Sequence, residues 1–218
     1  MKCTCVIFDL DGTLLNTLED LLTSVNFALS EFGLPARTLD EMRSFVGNGN
    51  PYMIRCAVPE GTAAETEAAV LDAFYAHYRL HYNEKTRPYA GIREMLETLR
   101  AAGIKTAVCS NKFHEATQAL IDDLLPGLID ATLGTVPEVP RKPAADMPEK
   151  LLSLLGEAKE NALYVGDSDV DVATARNAGI GMPAVSWGFR SVEQLKKAGA
   201  SVILDTPEEV TAYILERR

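Results

Sequence analysis

The distribution of apolar residues along the chain constrains its fold more than any other feature. Short apolar runs typical of buried strands recur along the chain, and from Gly91 onward stretches of helical periodicity lie between them. The runs lie at residues 3–8, 105–109, 162–165, 183–186 and 201–204, with a weaker one at 128–133. Alternating strands and helices favour a parallel sheet with helices on both faces. We therefore predict an α/β fold with a doubly wound, Rossmann-like parallel sheet.

One long region breaks this alternation. From about Thr17 to Asn83 the apolar residues recur at helical spacing, and no convincing strand occurs. Turn-forming residues flank the region at positions 16–17 and 87–91. We predict an inserted helical cap domain at residues 16–83 and a core domain formed by residues 1–15 and 84–218. Because the insert begins just after the first strand, we expect it to cover the carboxyl end of that strand.

Composition limits the classes of function. The chain has 218 residues, and its 31 acidic against 21 basic side chains give a formal charge of -10. Such a charge argues against nucleic-acid binding, which needs clustered positive charge. The four cysteines lack Cys-x-x-Cys spacing, and no apolar stretch is long enough to span a membrane. We expect a cytoplasmic protein, monomeric or homodimeric, with a small-molecule partner and neither nucleic-acid nor membrane partners.

Two carboxylates follow the first apolar run. Asp9 and Asp11 lie two residues apart where the strand is expected to end, and Gly12 permits a sharp turn. Acids so close repel each other unless a cation or a shared proton separates them, and Mg²⁺ bound by oxygen ligands usually has a phosphate partner. The alternative is an ordinary strand-to-turn transition that uses Asp and Gly as turn formers.

Later strands also end in polar side chains. Ser110, Asn111 and Lys112 come after the run at 105–109. The start of a helix there could bind an anion, or Ser110 or Asn111 could simply cap the helix. Lys142 ends a proline-rich loop, although an exposed lysine is the commoner case.

A third polar group, at residues 166–171, contains three acids and one hydroxyl. Carboxyl ends of parallel strands meet at one edge of a sheet, so the polar groups should converge there. Together they predict a metal-assisted phosphate site with Mg²⁺ as its cofactor.

With these motifs the chain resembles the haloacid dehalogenase superfamily. The four signature motifs of that superfamily are present in order, as Asp-Leu-Asp-Gly-Thr at 9–13, Ser-Asn-Lys at 110–112, Lys-Pro at 142–143 and Gly-Asp-Ser-Asp-Val-Asp at 166–171. Within the superfamily it looks most like the phosphoglycolate phosphatase group, on the stretches at 86–91, 174–179 and 186–190. Two departures are Ala145, where a second proline is common, and Asn16, which replaces an acid.

The resemblance implies a role for each motif residue. Asp9 would be the nucleophile that becomes an aspartyl phosphate, and Asp11 the general acid and base. The catalytic set also includes Ser110 and Lys142. The metal ligands would be Asp9, the backbone carbonyl of Asp11, Asp167, Ser168 and Asp171. The substrate-binding residues would be Thr13, Gly47, Asn48, Ser110, Asn111 and Lys112.

Several alternatives stay open. Gly47 and Asn48 belong to a Gly-Asn-Gly-Asn stretch that looks like a substrate-facing cap loop, but it could be an ordinary turn between helices. His77 and His81 have metal-ligand spacing without a third ligand, which favours packing. The favoured function is a Mg²⁺-dependent phosphatase for a small metabolite such as 2-phosphoglycolate. A phosphosugar mutase, a pyrophosphatase or nucleotidase, and a non-catalytic phosphate sensor are the alternatives.

Overall fold

The apolar runs form the strands of a parallel sheet, as the sequence predicts. A computed structural model describes residues 2–218. The strands are β1 Cys5–Phe8, β2 Leu15–Asn16, β3 Arg87–Pro88, β4 Lys105–Phe113, β5 Ala131–Thr135, β6 Ala162–Val165, β7 Pro183–Val185 and β8 Val202–Leu204. The central sheet has the order β5-β4-β1-β6, and all its pairs are parallel. β7 and β8 form a parallel pair that joins β6 through single bridges.

Ten α-helices and one 3₁₀ turn, Lys159–Asn161, complete the described part of the chain, residues 2–218. The α-helices are α1 Leu18–Glu31, α2 Leu39–Phe45, α3 Asn50–Ala57, α4 Ala64–His81, α5 Ile92–Ala101, α6 His114–Leu124, α7 Asp146–Leu155, α8 Asp169–Ala178, α9 Val192–Ala198 and α10 Pro207–Leu215. Successive side chains of β1 enter different hydrophobic clusters. Val6 and Phe8 pack with α5 and α10, whereas Cys5 and Ile7 pack with α7 and α8. The sheet is therefore covered on both faces, which confirms the predicted doubly wound architecture.

The inserted region is helical, and its helices form most of a hydrophobic cluster that also includes Ala116 and Phe189 of the core. Leu21 and Val25 of α1 pack with Phe74 and Tyr78 of α4, and α2 and α3 add Met42 and Ile54. The insert leaves the sheet directly after β1. It therefore lies where it can cover the carboxyl ends of the central strands.

Three details differ from the sequence prediction. β4 continues through Phe113 instead of ending at Cys109, and β5 begins at Ala131 instead of near Leu128. β2 and β3, which were not predicted, pair antiparallel where the chain enters and leaves the insert. Two-residue strands show no periodicity, so a pattern search cannot find them.

The connection to the insert is tied by one buried acid. Asp20 on α1 accepts hydrogen bonds from the backbone N–H groups of Lys85 and Thr86 and from the Thr86 hydroxyl, all at 2.8 to 3.1 Å. The two chain segments that connect the insert to the core are thus held close together. Among residues 2–218, no helix has the length and apolar character needed to cross a membrane.

Candidate active site

A buried lysine joins the first and last acidic motifs. Lys142 Nζ lies 2.8 Å from Asp9 Oδ1 and 2.8 Å from Asp171 Oδ1, and the lysine is only 2% exposed. It is therefore not the solvated side chain that lysine usually is. Asp9 Oδ1 also accepts the backbone N–H of Leu10 at 2.7 Å. Asp9 thus has one oxygen fixed by two donors directly beyond the end of β1.

Burial and like charge act on the acids of this group. Burial, followed by the charge of Asp171, raises the pKa of Asp9 well above its ordinary value, against the opposing effect of Lys142. Burial and Asp171 likewise raise the pKa of Asp167 to about 7. Burial works to lower the pKa of Lys142, but Asp171 and Asp9 outweigh it, and the net shift is upward. One lysine cation is too little positive charge for three clustered carboxylates.

Asp11 forms a second ion pair in the same cavity. Lys112 Nζ lies 3.0 Å from both of its carboxylate oxygens. Burial tends to lower the pKa of Lys112, but Asp11 and Tyr78 together outweigh it and the pKa rises. The ammonium group also lies 4.9 Å from the ring centre of Tyr78, which belongs to α4 of the insert. The pair is therefore enclosed by residues from both parts of the chain.

Asp167 is held by donors from two loops. Its Oδ1 accepts the Thr13 hydroxyl at 2.8 Å, and its Oδ2 accepts the backbone N–H of Phe189 at 2.7 Å. Gly12 has φ of +92°, and a Cβ added there would lie 2.5 Å from Asp167 Oδ2. Only glycine lets the turn after β1 approach this carboxylate so closely.

Asp171 makes more contacts than any other acid of the group. Its Oδ1 accepts hydrogen bonds from Lys142 and from the Tyr164 hydroxyl, the latter at 3.1 Å. Its Oδ2 accepts the backbone N–H and the hydroxyl of Ser168, so that Ser168 and Asp171 form a capping box at the start of α8. These contacts fix Asp171 next to Lys142.

Asp9, Asp167 and Asp171 form the candidate metal site. Each offers a carboxylate oxygen within 4.8 Å of the others, and all three residues are buried. Among residues 2–218 this is the one such group of acids, cysteines or histidines. Hard oxygen donors with excess negative charge are what a hard divalent cation requires.

A cavity of about 20 Å³ lies between the sheet edge and the insert, with room for little more than one water-sized group. Its walls contain seven of the predicted site residues, namely Asp9, Asp11, Gly47, Ser110, Asn111, Lys112 and Lys142. Four other predicted site residues lie behind this wall and form hydrogen bonds with one another or with Lys142. They are Thr13, Asp167, Ser168 and Asp171. Asn48 lines a separate crevice beside Arg190. The structure thus brings the catalytic candidates together but directs Asn48 elsewhere.

The local setting of the Ser-Asn-Lys motif corrects the sequence prediction. These residues were expected at a helix N-terminus, but they belong to β4, and α6 begins only at His114. Anion binding here therefore depends on their side chains and amides rather than on the first turn of a helix. The Lys112 N–H donates to Ser110 Oγ at 3.2 Å, which leaves the Ser110 hydroxyl proton free to turn toward a ligand.

The histidine pair has a packing role. The His77 ring stacks on Phe27 and on His81, with centroids 4.2 Å apart in both cases. Among the residues described, these histidines belong to no group of three metal-ligating side chains.

Sequence reasoning missed three residues that position the site. Tyr164 contacts Asp171, Trp187 donates its indole N–H to the Thr13 carbonyl at 3.0 Å, and Arg190 contacts the insert. Tyr164 is hidden inside a strand-like apolar run. Trp187 and Arg190 come just after a strand end, within the stretch 186–190 that carries part of the subfamily resemblance.

Comparison with known proteins identifies the family. Residues 6–185 match the family model described as haloacid dehalogenase-like hydrolase. The chain is 33% identical over 221 residues to a phosphoglycolate phosphatase of Mesorhizobium japonicum, covering 100% of this chain and 97% of the other. It is 36% identical over 189 residues to one from Cereibacter sphaeroides, covering 85% and 86%.

A solved structure agrees with these matches. A Lactobacillus delbrueckii protein named as an inferred phosphoglycolate phosphatase superposes with a TM-score of 0.93 at 36% identity. The match covers 98% of this chain and 99% of the other. The chain therefore belongs to the haloacid dehalogenase-like hydrolases, and it is a phosphatase of this family.

Proposed function

We propose that the protein is a Mg²⁺-dependent phosphatase that hydrolyses a small phosphate ester through an aspartyl phosphate on Asp9. The observation that carries the proposal is the contact of Lys142 with Asp9 in a cavity that also contains Asp11 and Ser110. Curated relatives named as phosphoglycolate phosphatases make 2-phosphoglycolate the foremost candidate substrate.

Asp9 is suited to nucleophilic attack. Its Oδ1 is fixed by Lys142 and by the Leu10 N–H, while no donor among residues 2–218 contacts Oδ2. Oδ2 would attack phosphorus, and the ester oxygen would leave with a proton from Asp11. Water activated by Asp11 would then attack the phosphorus of the aspartyl phosphate, releasing phosphate and restoring the Asp9 carboxylate.

Asp11 must exchange partners to act as a general acid. Both of its oxygens contact Lys112 Nζ, so neither faces a substrate in this arrangement. A phosphoryl group entering the cavity carries charge of the same sign as Asp11 and would compete for Lys112. Binding of substrate would therefore free Asp11 at the point where it has to carry a proton.

The remaining polar groups would hold the phosphoryl oxygens. Ser110 can donate its hydroxyl proton, and Lys142 and Lys112 place two cations on the cavity wall. Groups that are fixed before the reaction stabilise developing charge without reorganising, and losing one typically costs about 100- to 1000-fold in rate.

The acidic group fits Mg²⁺ on the chemistry of its donors. Asp9 and Asp167 would supply carboxylate oxygens, Asp11 its backbone carbonyl, and Ser168 and Asp171 further oxygens directly or through water. When bound, the cation neutralises charge between the nucleophile and the phosphate. The raised pKa values of Asp9 and Asp167 support this assignment, because they reflect carboxylates that need more positive charge nearby.

Two features favour a small substrate with an anionic leaving group. The cavity of about 20 Å³ is small, so a compact ester requires less displacement of the insert than a bulky one. Arg141 lines an adjoining groove that shares Gly49, Asn50 and Asn111 with the cavity wall, so a cation lies close to where a leaving group would emerge. 2-Phosphoglycolate is small, and its leaving group carries a carboxylate two atoms from the ester oxygen.

Phosphate release from a panel of substrates tests the proposal. The panel contains 2-phosphoglycolate, sugar phosphates, nucleotides and pyrophosphate, each with and without Mg²⁺. We expect Mg²⁺-dependent release that is fastest from 2-phosphoglycolate. Isomerisation of a sugar phosphate that needs a bisphosphate activator would identify a mutase instead, and no release from any compound would favour a sensor.

We propose that residues 16–83 act as one cap domain that moves relative to the core formed by residues 1–15 and 84–218. The hydrophobic cluster built mainly from α1 to α4 supports this. The four free cysteines support a cytoplasmic location. A monomer and a homodimer both fit the fold.

A further inference from the structure

Arg190 makes contacts across the boundary between the α/β core and the inserted helices. It lies in the loop between β7 and α9, and its Nη1 and Nη2 donate to the carbonyls of Arg43 and Val46 at 2.8 and 2.7 Å. Both acceptors lie at the C-terminal end of α2, where carbonyl groups lack partners within the helix. A planar guanidinium group can reach two such carbonyls at once, and its charge suits a helix C-terminus.

The segment that Arg190 holds forms part of the active-site wall. Val46, Gly47, Gly49 and Asn50 line the cavity. A second core residue holds the same segment, since Asn111 Nδ2 donates to the Gly47 carbonyl at 2.9 Å. The position of residues 43–50 over the site thus depends on side chains from the core.

Arg190 also contacts the acidic motif at residues 166–171. Its Nε lies 3.1 Å from Asp169 Oδ1, and the preceding residue, Phe189, donates its N–H to Asp167 Oδ2. Residues 188–190 therefore contact a candidate metal ligand and the insert at the same time. Because the Asp169 side chain is 54% exposed, its ion pair with Arg190 should contribute less than the two carbonyl contacts.

We propose that Arg190 is a positioning residue that fixes residues 43–50 over the cavity and thereby limits the size of the leaving group that the site accepts. This inference rests on the proposed phosphatase function for its effect on selectivity. The holding contact itself can be tested without activity. A phosphate ester with a bulky leaving group requires residues 43–50 to move away, which breaks the Arg190 contacts.

Hydrogen–deuterium exchange of the intact protein measures the contact directly. In Arg190→Met we expect the amides of Val46 and Met53 to exchange about tenfold to a hundredfold faster, because two charged hydrogen bonds are lost. Arg190→Lys should behave similarly, since an ammonium group cannot span both carbonyls. Asp169→Asn removes only the ion pair and should have a smaller effect.

Arg93→Met is the matched control. Arg93 also donates to a carbonyl at a helix end, that of Leu124 at 2.7 Å, but both residues lie in the core. It should leave exchange at residues 46–53 unchanged. Equal exchange at these amides in wild type, Arg190→Met and Arg190→Lys would overturn the proposal.

Comparing kcat/KM for two phosphate esters distinguishes a loss of positioning from a loss of folding. We expect Arg190→Met to lower kcat/KM for 2-phosphoglycolate at least about tenfold while kcat/KM for 4-nitrophenyl phosphate stays constant or rises. An equal fall for both esters would contradict the proposed role. If the wild-type protein hydrolyses neither ester, the proposed function fails, and hydrogen exchange alone then decides whether Arg190 holds the segment.

Discussion

The two walls of the active-site cavity differ in chemistry. The core wall carries acids, cations and a hydroxyl at strand ends, namely Asp9, Asp11, Ser110, Lys112 and Lys142. The wall from the insert is apolar apart from backbone and one amide, with Leu21, Val46, Gly47, Gly49, Asn50 and Met53. Bond making and proton transfer need the charged groups, whereas exclusion of water and of large leaving groups needs only shape. We infer that the core performs the reaction and the insert selects the substrate.

Changes in the core wall should reduce the rate, and the largest reduction is expected at the nucleophile. Asp9→Asn keeps the shape but removes the attacking carboxylate, so we expect turnover to fall below detection. Steady-state phosphate release measures this, with circular dichroism as a check on folding. Normal activity in this variant would remove Asp9 from its proposed role.

Lys142→Met should affect both rate and stability. We expect kcat to fall about 100- to 1000-fold, and the free energy of unfolding to fall by about 3–5 kcal/mol because buried acids lose their cation. Adding Asp171→Asn removes one of the unpaired acids. The double variant should regain stability but not activity, and a double variant no more stable than Lys142→Met would refute this explanation.

A change in the wall from the insert should alter substrate binding more than the catalytic rate. Gly49 has φ of +83°, and a Cβ there would lie 3.0 Å from Arg141 Nη1. Gly49→Ala should raise KM about tenfold through strain and crowding while kcat changes little. Gly61 has the same φ in open space, so Gly61→Ala is the control for strain alone. An equal rise in KM in both variants would count against the role of Gly49.

The smallest expected effect is on stability without metal. The pKa of Asp167 is raised to about 7 in the folded protein, so the native state binds a proton that the unfolded chain has released. Metal-free stability should therefore fall as the pH rises from about 4 to 7. Mg²⁺ should raise Tm by a few degrees at pH 7.5 and less at pH 5. Thermal melts of the wild type and Asp167→Asn test this, and an equal shift in both proteins would contradict it.

The core was more predictable from sequence than the contacts around it. Buried strands such as Cys5–Phe8 give continuous apolar runs, and parallel topology brings the residues just beyond each strand to one edge of the sheet. The extension of β4 to Phe113 was not predictable, because Ser110, Asn111 and Lys112 are polar residues buried by tertiary contacts. The pairing of Asp11 with Lys112 joins residues 101 positions apart, and no local pattern encodes such a contact.

The cap contacts were the least predictable part. Arg190 binds backbone carbonyls, and any residue can supply a carbonyl at the correct position, so its partners leave no trace in the sequence. The two-residue pairing of β2 with β3 is equally invisible. Selectivity, which we assign to the cap, is therefore harder to infer from sequence than the reaction.

We propose that the reaction passes through a covalent phosphate on Asp9. Rapid acid quench of the wild-type protein during turnover, followed by borohydride reduction and peptide mass spectrometry, tests it directly. We predict conversion of Asp9 alone to homoserine, only when substrate and Mg²⁺ are both present. Unmodified Asp9 under conditions of full turnover, or modification at Asp11 instead, would contradict the account.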